Sequence, residues 1–452
     1  MQAKQLWSLW QEQLQPYAAV FTAPGFTRFV IWVTGLAVNV EEHTLTQSLL
    51  ALQRPDDWHA AEAFAEYGSW DRDQVARRTG QLVAQTPNAC WHGYHVWAGD
   101  DTKVHRGSAH VWGTCTYHEY TARCPNRATT VRAHNWVCLG ALLPQDGQPA
   151  CYLPVSGSLY FRASQMPGPG SNGEPAPTFR TKNVQMVALA HQQAAALVGA
   201  HLLVVDGAFA NRNTIRPLVF PAEGEPRVEV VSRLRVDAHL CDLPPTQRPR
   251  GRRGPQPRWG RRLPPPRQGG RWRGGWRDGT AFIYGRLRTV RWKEVLCLWK
   301  PLGSDLPIKA VVAKVEGYHE RFALLSTDVK LTGLQIVELF CARFRQEDGF
   351  RDLKQRLGWE ECRAWTQQPI EVTTQALFVV MTLLRLLQGK LTAAEGTAWW
   401  FHPPWNVHKT RPSVLDLQRL LRQHAAGIQQ GLSDWVATRR NTGSAARGAA
   451  VN

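Results

Sequence analysis

The spacing of apolar and polar residues divides this chain into a helical beginning, a strand-rich middle and a return to helix. Residues 1–88 read as helical: Thr44-x-x-Gln47 forms a capping box before SLLALQ, and Asp56 can cap WHAAEAFAEY. Near residue 94 the texture changes to short apolar runs bounded by turn residues, YHVWAGDD, ALLPQDG and CYLPVSGSLYF, which predict strands. Residues 184–200 (VQMVALAHQQAAALVGA) are rich in Ala, Leu and Gln and run straight into HLLVVD. That order predicts a helix feeding a buried parallel strand that ends at Asp206, the mark of an α/β core. Further strands are predicted in TVRWKEVLCLWK, IKAVVAKVEG and RFALLSTDV, a β-rich module set before the next long helix.

That helix is predicted to run from Gly333 to Leu357, with Thr332 as its cap and Gly358 as its stop. Spacings of three and four place Phe340, Arg343, Glu347, Arg351 and Lys354 on one face, a single acid among three cations. Val337, Cys341, Phe344 and Leu353 form an apolar flank suited to packing on a sheet. The longest apolar run, Ala376 to Leu384, is too short to span a bilayer and predicts a buried helix.

Composition adds a partner to this picture. The chain has 452 residues, enough for two to four units at ~150 residues each. Its apolar share of 43% and charged share of 20% are those of a folded protein. Lys and Arg number 54 against 36 Asp and Glu, a formal charge of +18, which points to a phosphate-rich partner, nucleic acid foremost. Between Cys241 and Asp278 the chain turns to Pro, Gly and Arg, and RPRGRRGPQPRWGRRLPPPRQGGRWRGGWR contains no acid. No packed core is expected there. The stretch reads as a solvated linker that also tracks a nucleic-acid backbone, with Trp259, Trp272 and Trp276 free to stack on bases. The N-terminal residues lack the apolar run and cleavage site of a signal peptide, so a cytoplasmic protein is expected, nucleoid-associated when bound to DNA and without a membrane partner. Nine scattered cysteines without a CxxC pair argue against a disulfide framework.

Cutting and joining a DNA phosphodiester requires an activated oxygen nucleophile, a stabilised leaving 3′ oxygen and neutralisation of transition-state charge, tasks suited to two hard cations ~4 Å apart. Magnesium takes oxygen ligands, so carboxylates from separate segments are the appropriate protein contribution. Asp100 and Asp101 follow the strand in VWAGDDT, Asp206 ends LLVVDGAF, and Glu347 sits on the basic helix face. Each alone reads equally as a turn residue, a cap or a solvated acid; the order strand Asp, strand Asp, helix Glu in a basic chain favours a site.

Here the chain resembles the insertion-sequence DDE transposases, whose third acid lies in a Y-(2)-R-(3)-E-(6)-K signature. Arg343-x3-Glu347-x6-Lys354 reproduces the last three elements, and EDGFRDLKQRLGWEECR, DDT at 100–102, VVDGAF at 204–209 and RLRVDAHL at 233–240 extend the likeness. The resemblance implies an α/β fold with an RNase H-like mixed sheet and flanking helices, interrupted by a β-rich insertion, plus an N-terminal all-helical domain. The expected divisions are 1–88 (helical, DNA-binding), 89–240 (first part of the core), 241–279 (basic linker or arm), 280–325 (β insertion or late core strands), 326–395 (core completion with the Glu helix) and 396–452 (partly helical with a flexible tail). It further implies catalytic and metal-binding roles for Asp100, Asp206 and Glu347, with Asp100 preferred over Asp101. Two Mg2+ ions, replaceable by Mn2+, are implied, together with double-stranded DNA as partner, both element terminal inverted repeats and target, and a homodimer in the synaptic complex. Phe340, Arg343, Arg351 and Lys354 would contact DNA. Phe340 stands at the signature's tyrosine, keeping the ring and losing the hydroxyl.

Two other chemistries fit less well. A tyrosine recombinase needs a C-terminal nucleophile, and the last tyrosine is Tyr318. Cys115, His118, Cys124, His134 and Cys138 match no common zinc-finger spacing. A derivative that binds DNA without cutting, and a host nuclease of RNase H type, remain the competing readings.

Overall fold

The computed structural model describes residues 2–119, 129–170, 175–246, 255–396, 399–407, 409 and 411–448. Five helices come first: α1 (Ala3–Leu14), α2 (Ala23–Val38), α3 (Leu45–Ala51), α4 (Trp58–Tyr67) and α5 (Arg72–Ala84). Thr44 caps α3 by accepting from the Gln47 N–H, as its spacing predicts. Asp56 does not cap α4; it lies in a 3-10 turn, Pro55–Asp57, that leads into the helix.

The strands follow: β1 (Tyr94–His105), β2 (Cys115–His118), β3 (Thr130–Gln145) and β4 (Gln148–Tyr160). Next come α6 (Lys182–Ala194), β5 (Ala200–Val205), α7 (Arg212–Val219), β6 (Val228–Arg233) and β7 (Leu240–Cys241). After the basic stretch the chain adds β8 (Arg277–Ile283), β9 (Arg286–Trp299), β10 (Pro307–Val315) and β11 (Phe322–Ser326). All belong to one mixed sheet, in the order β2-β3-β1-β5-β6-β11-β10-β9-β7, with β4 beside β3 and β8 beside β9. β1, β5 and β6 run parallel, joined by helical crossovers, and the other pairings are antiparallel. The strands of 280–325 therefore extend the main sheet: β11 pairs with β6 at Leu325↔Ser232.

Helices cover both faces, and the alternation along each strand decides which side chains meet which layer. On one face lie Val96, Ala98, Leu202 and Val204, packed toward α8 (Gly333–Ala342), α9 (Arg345–Gln355) and α10 (Gln367–Glu395). On the other lie Trp97, Leu203 and Val205, in one apolar cluster with Met186 and Leu189 of α6. The helices of residues 1–88 share a core with α10: Phe29 and Val33 belong to the same apolar cluster as Leu377, Phe378 and Leu384. α11 (Val414–Gln423) and α12 (Ala425–Gly448) return to this layer, with Gln418 donating to the Asn39 carbonyl at 3.0 Å. α10 is long and apolar enough to cross a membrane, yet its most apolar window is 83% buried among these elements, as the sequence reading of a buried helix expects.

Three further expectations are corrected. Asp100 and Asp101 do not follow the strand but lie inside it, because antiparallel pairing with β3 carries β1 on to His105. The single helix of 333–357 is two: α8 ends at Ala342, Arg343 and Phe344 form a turn, and α9 starts at Arg345. Thr332 does cap the first piece in a full capping box with Gln335, and Gly358, at φ +67°, follows the end of the second. The bend moves Phe344 off the apolar flank, where it is 39% exposed, while Val337, Cys341 and Leu353 are buried as expected. The basic stretch also packs in part. Trp272 is 3% exposed and so is not free to stack on bases; its indole donates to the Pro264 carbonyl, and Lys293 binds the carbonyls of Gly270 and Trp272. Composition concealed this because one indole and one buried lysine anchor the segment. Trp276 is half-buried under Arg291 and Lys314, Trp259 is partly exposed, and residues 247–254 lie outside the described residues.

Trp359 tests the joint between the sheet and α10. Fully buried, it meets Phe378 edge-on at 5.3 Å and donates to Thr374 Oγ1 at 3.0 Å. Trp359→Ala is expected to cost about 3–5 kcal/mol, read as a lower urea midpoint with the slope unchanged; an unmoved midpoint would contradict this packing.

Candidate active site at the β1–β5 junction of the sheet

Strand register creates the centre of the site. β1 and β5 pair in parallel through Gly99↔Val205, so the next residues, Asp100 and Asp206, sit side by side where β5 ends. In-register neighbours of parallel strands share a face. Here it is the α8–α10 face, since the even-numbered Val96, Ala98, Leu202 and Val204 pack there. Gly99 turns to the opposite face, where an added Cβ would run into the Met186 thioether, so α6 closes tightly on β1. The same alternation separates the two candidate aspartates. Asp101 points toward α6, and its Oδ2 accepts from Lys182 Nζ at 2.6 Å. Asp100 points toward α9.

Around Asp100 the environment is desolvated and cationic. Its Oδ2 accepts from Arg343 Nη1 at 2.7 Å and its Oδ1 from the Asp101 amide at 2.8 Å. Burial raises its pKa to about 6, against the opposing pull of the Arg343 guanidinium; Asp206 pushes in the same direction as burial. Asp206 is half-buried, and its backbone carbonyl, like that of Val205, accepts from Ser232 Oγ on β6, which fixes the end of β5.

α9 brings Glu347 to the same face. Gln346, fully buried, donates to the Cys138 carbonyl and to the Tyr152 hydroxyl, both at 3.2 Å. Gly349 leaves room for the Tyr152 ring against the helix. With α9 so seated, Glu347 stands in its first turn, 48% exposed, 3.5 Å from Arg343 Nη2. Arg343 thus bridges Asp100 and Glu347, and its Nε is buried without an acceptor among the described residues.

The other signature residues are placed less uniformly. Phe340 is buried, with its ring 6.5 Å from Phe322 and 5.8 Å from the Arg343 guanidinium. Lys354 is half-buried, its pKa lowered by burial, within electrostatic reach of Glu360, Cys138 and Glu119. Arg351 is exposed and pairs with Asp348 at 3.0 Å. Among the described residues no group of three or more His, Cys, Asp and Glu side chains is gathered as a metal cage. Asp100 and Asp206 are neighbours at the end of the β1–β5 register, and Glu347 is tied to Asp100 through the Arg343 guanidinium.

No known protein family matches this chain, and no curated protein is significantly similar to it. Sequence reasoning missed Ser232 and Gln346, which fix the backbone that carries Asp206 and Glu347, and Lys182, which pairs with Asp101 on the opposite face. Nothing in their local spacing distinguishes them from surface polar residues, because their roles follow from strand register and helix seating.

Asp100 gives a sign-specific prediction. Burial favours its neutral form, so its contribution to stability is full below the ordinary carboxylate range and is lost as pH rises through about 6. Asp100→Asn is neutral at every pH. Its melting temperature relative to wild type should therefore climb between roughly pH 4 and pH 7; parallel profiles would show that Asp100 keeps an ordinary pKa.

Proposed function

We propose that the chain is a DDE-type transposase with an RNase H-like core, cutting DNA at the ends of an insertion element and transferring the freed strand into target DNA. The observation that carries this reading is the pairing of Asp100 with Asp206 at adjacent strand positions, with Glu347 delivered to the same face from the helix that follows the extra strands. The strand arrangement supports it too: an antiparallel β4-β3-β1 group is followed by parallel β5 and β6 in one mixed sheet with helices on both faces.

The donor set suits a hard divalent cation. Asp100, Asp206 and Glu347 offer only carboxylate oxygens, the ligands that Mg2+ or Mn2+ prefer. Asp100 is already held beside a positive charge, and the spare Arg343 Nε can turn to another anionic oxygen. Two such ions would activate the attacking oxygen and stabilise the leaving one. The chain's own residues do the rest. Arg343, freed from Asp100, binds a phosphate oxygen of the scissile strand, and Lys354 and Arg351 extend the cationic surface along the same helix. In the first reaction water attacks the phosphorus, the P–O3′ bond breaks and the 3′ oxygen leaves as a hydroxyl. In the second that hydroxyl attacks a target phosphodiester in line and expels another 3′ oxygen. Double-stranded DNA is the substrate, as terminal inverted repeats and as target, and a homodimer holds both ends.

A second reading has its own observation. Arg343 bound to both Asp100 and Glu347 also describes a site that keeps its fold without a metal, and Phe340 lacks a phenol. That arrangement would suit a derivative that binds DNA without cutting it.

Nicking of duplex DNA with Mg2+ separates the two. Asp100→Asn, Asp206→Asn and Glu347→Gln should each abolish cleavage, by at least about a hundredfold as expected for loss of an electrostatic catalytic group, while binding measured by gel shift persists. Cleavage retained in any one of them removes that residue from the site, and a wild type that binds without nicking favours the second reading. Ca2+ should support binding with little cleavage, because its larger, looser shell positions oxygen ligands poorly; equal rates with both metals would contradict the mechanism.

A further inference from the structure

The basic stretch before β8 is pinned to the sheet along most of its described length. Residues 260–263 pair with β7 and the residue after it: the Gly260 amide donates to the Asp242 carbonyl at 3.0 Å, the Asp242 amide to the Arg261 carbonyl at 2.8 Å and the Leu263 amide to the Leu240 carbonyl at 2.9 Å. The Arg267 amide then donates to the Val236 carbonyl, also at 2.9 Å. Gly269 sits so closely on Val312 of β10 that a Cβ would collide with it, and the buried Lys293 of β9 holds the Gly270 and Trp272 carbonyls. The Trp276 ring is centred 5.7 Å from the Arg291 guanidinium and 5.6 Å from the Lys314 ammonium. Lys293 and Val312 lie on the face of the sheet turned away from α8–α10, since their strand neighbours Trp292, Val311 and Ala313 pack toward those helices. The stretch therefore covers the face opposite to the one Asp100 occupies.

None of this anchoring uses the arginine side chains. Arg258, Arg261, Arg262, Arg267, Arg271 and Arg273 are all exposed, none forms an ion pair with a carboxylate among the described residues, and no acid occurs from Pro255 to Arg277. A free tether with this run of charge would spread itself apart in solution. Here hydrogen bonds fix the backbone that bears the charges, so the guanidiniums form a standing array whose ordering cost is met before any partner arrives. Arg291 and Lys314, paired across β9 and β10, extend it. Such an array suits a partner with regularly repeated negative charge. The indoles narrow the mode of contact: Trp272 is buried and Trp276 lies under two cations, so neither is open for a base to stack on, and contact is to the phosphate backbone without regard to sequence. We infer that this surface binds the backbone of a second stretch of duplex DNA, held on the face of the sheet opposite to the strand being cut. DNA as the ligand rests on the reading proposed above, in which strand transfer brings two duplexes to one protein; the separate location rests on strand register.

The test uses the full chain carrying Glu347→Gln, in EDTA, so that binding is read without cleavage. Combining Arg267→Gln, Arg271→Gln and Arg273→Gln should weaken affinity for duplexes of any sequence by at least about tenfold and reduce the slope of log affinity against log salt by about 2.7, or about 0.9 for each lost phosphate contact. The same three positions changed to Lys should keep the slope, since charge and not shape is what they supply. With short duplexes of one helical turn, about 10 base pairs, the parent should bind two per chain at low salt and the triple Gln variant one. Unchanged affinity and slope in the triple Gln variant would overturn the surface. A parent that binds one short duplex per chain would overturn its separateness from the active site, and a loss confined to single-stranded DNA, with duplex binding intact, would overturn the duplex assignment. Cleavage assays that fail while the predicted losses appear strike the catalytic reading alone; cleavage that succeeds while those losses are absent strikes this surface alone.

Discussion

Asp100 is an acid held in a desolvated place within β1, beside the end of β5 that carries Asp206, and it is burial above all that makes its charge costly. Asp100 and Asp206 are held in that position by the β1–β5 register. The rest of the site can be understood as the protein's response. Arg343 supplies a compensating charge, the Asp101 amide supplies a hydrogen bond, and Asp100 is nevertheless left easier to protonate than an exposed aspartate. Replacing Asp100 alone by an apolar residue would leave the buried Arg343 guanidinium without its partner; only replacing both partners could serve stability as well. Keeping a desolvated acid beside Asp206 is what a site meant for a cation would require.

The broken helix serves the same arrangement. An unbroken helix through 333–357 would carry Arg343 and Glu347 on one stripe at a fixed pitch. Instead the turn at Arg343–Phe344 separates a piece anchored in the core by Ile336, Val337 and Leu339 from a piece anchored to β3 and β4 by Gln346 and Gly349. Arg343 stands at the joint and can reach both carboxylates. The same joint gives Glu347 the exposure that a residue meeting a ligand requires, while Gln346, one position earlier, is buried. Sequence neighbours with opposite burial are what a first helical turn pressed against a sheet produces.

How much of this could be read from the chain alone depended on the range of the interaction. Strands β1, β4, β5, β9, β10 and β11 were legible because alternation and β-branched runs are local signals, and Thr332 and Gly358 announce their ends of the helical stretch by local chemistry. Asp206 could be nominated from its strand-end position and Glu347 from its helix face, whereas Asp100 was nominated as a strand-end residue and lies in mid-strand, because pairing with β3 carries β1 on to His105. The turn at Arg343 was not legible, since CARFRQED contains neither glycine nor proline and is broken by tertiary packing. Nor was the anchoring of the Arg-rich stretch, where Trp272 finds its pocket against strands far along the chain. The choice between Asp100 and Asp101 needed register: a shift of one residue would exchange their faces.

Cleavage by the proposed route requires Asp100, Asp206 and Glu347 to grip divalent metal jointly beside DNA. Electron paramagnetic resonance of Mn2+ titrated into the protein with a duplex oligonucleotide reads this most directly. Wild type should take up Mn2+ into a site whose signal is lost in Asp206→Asn and displaced by Mg2+. A wild type that binds no Mn2+ beyond the oligonucleotide's own share, or an Asp206→Asn variant that binds it equally, would contradict the account.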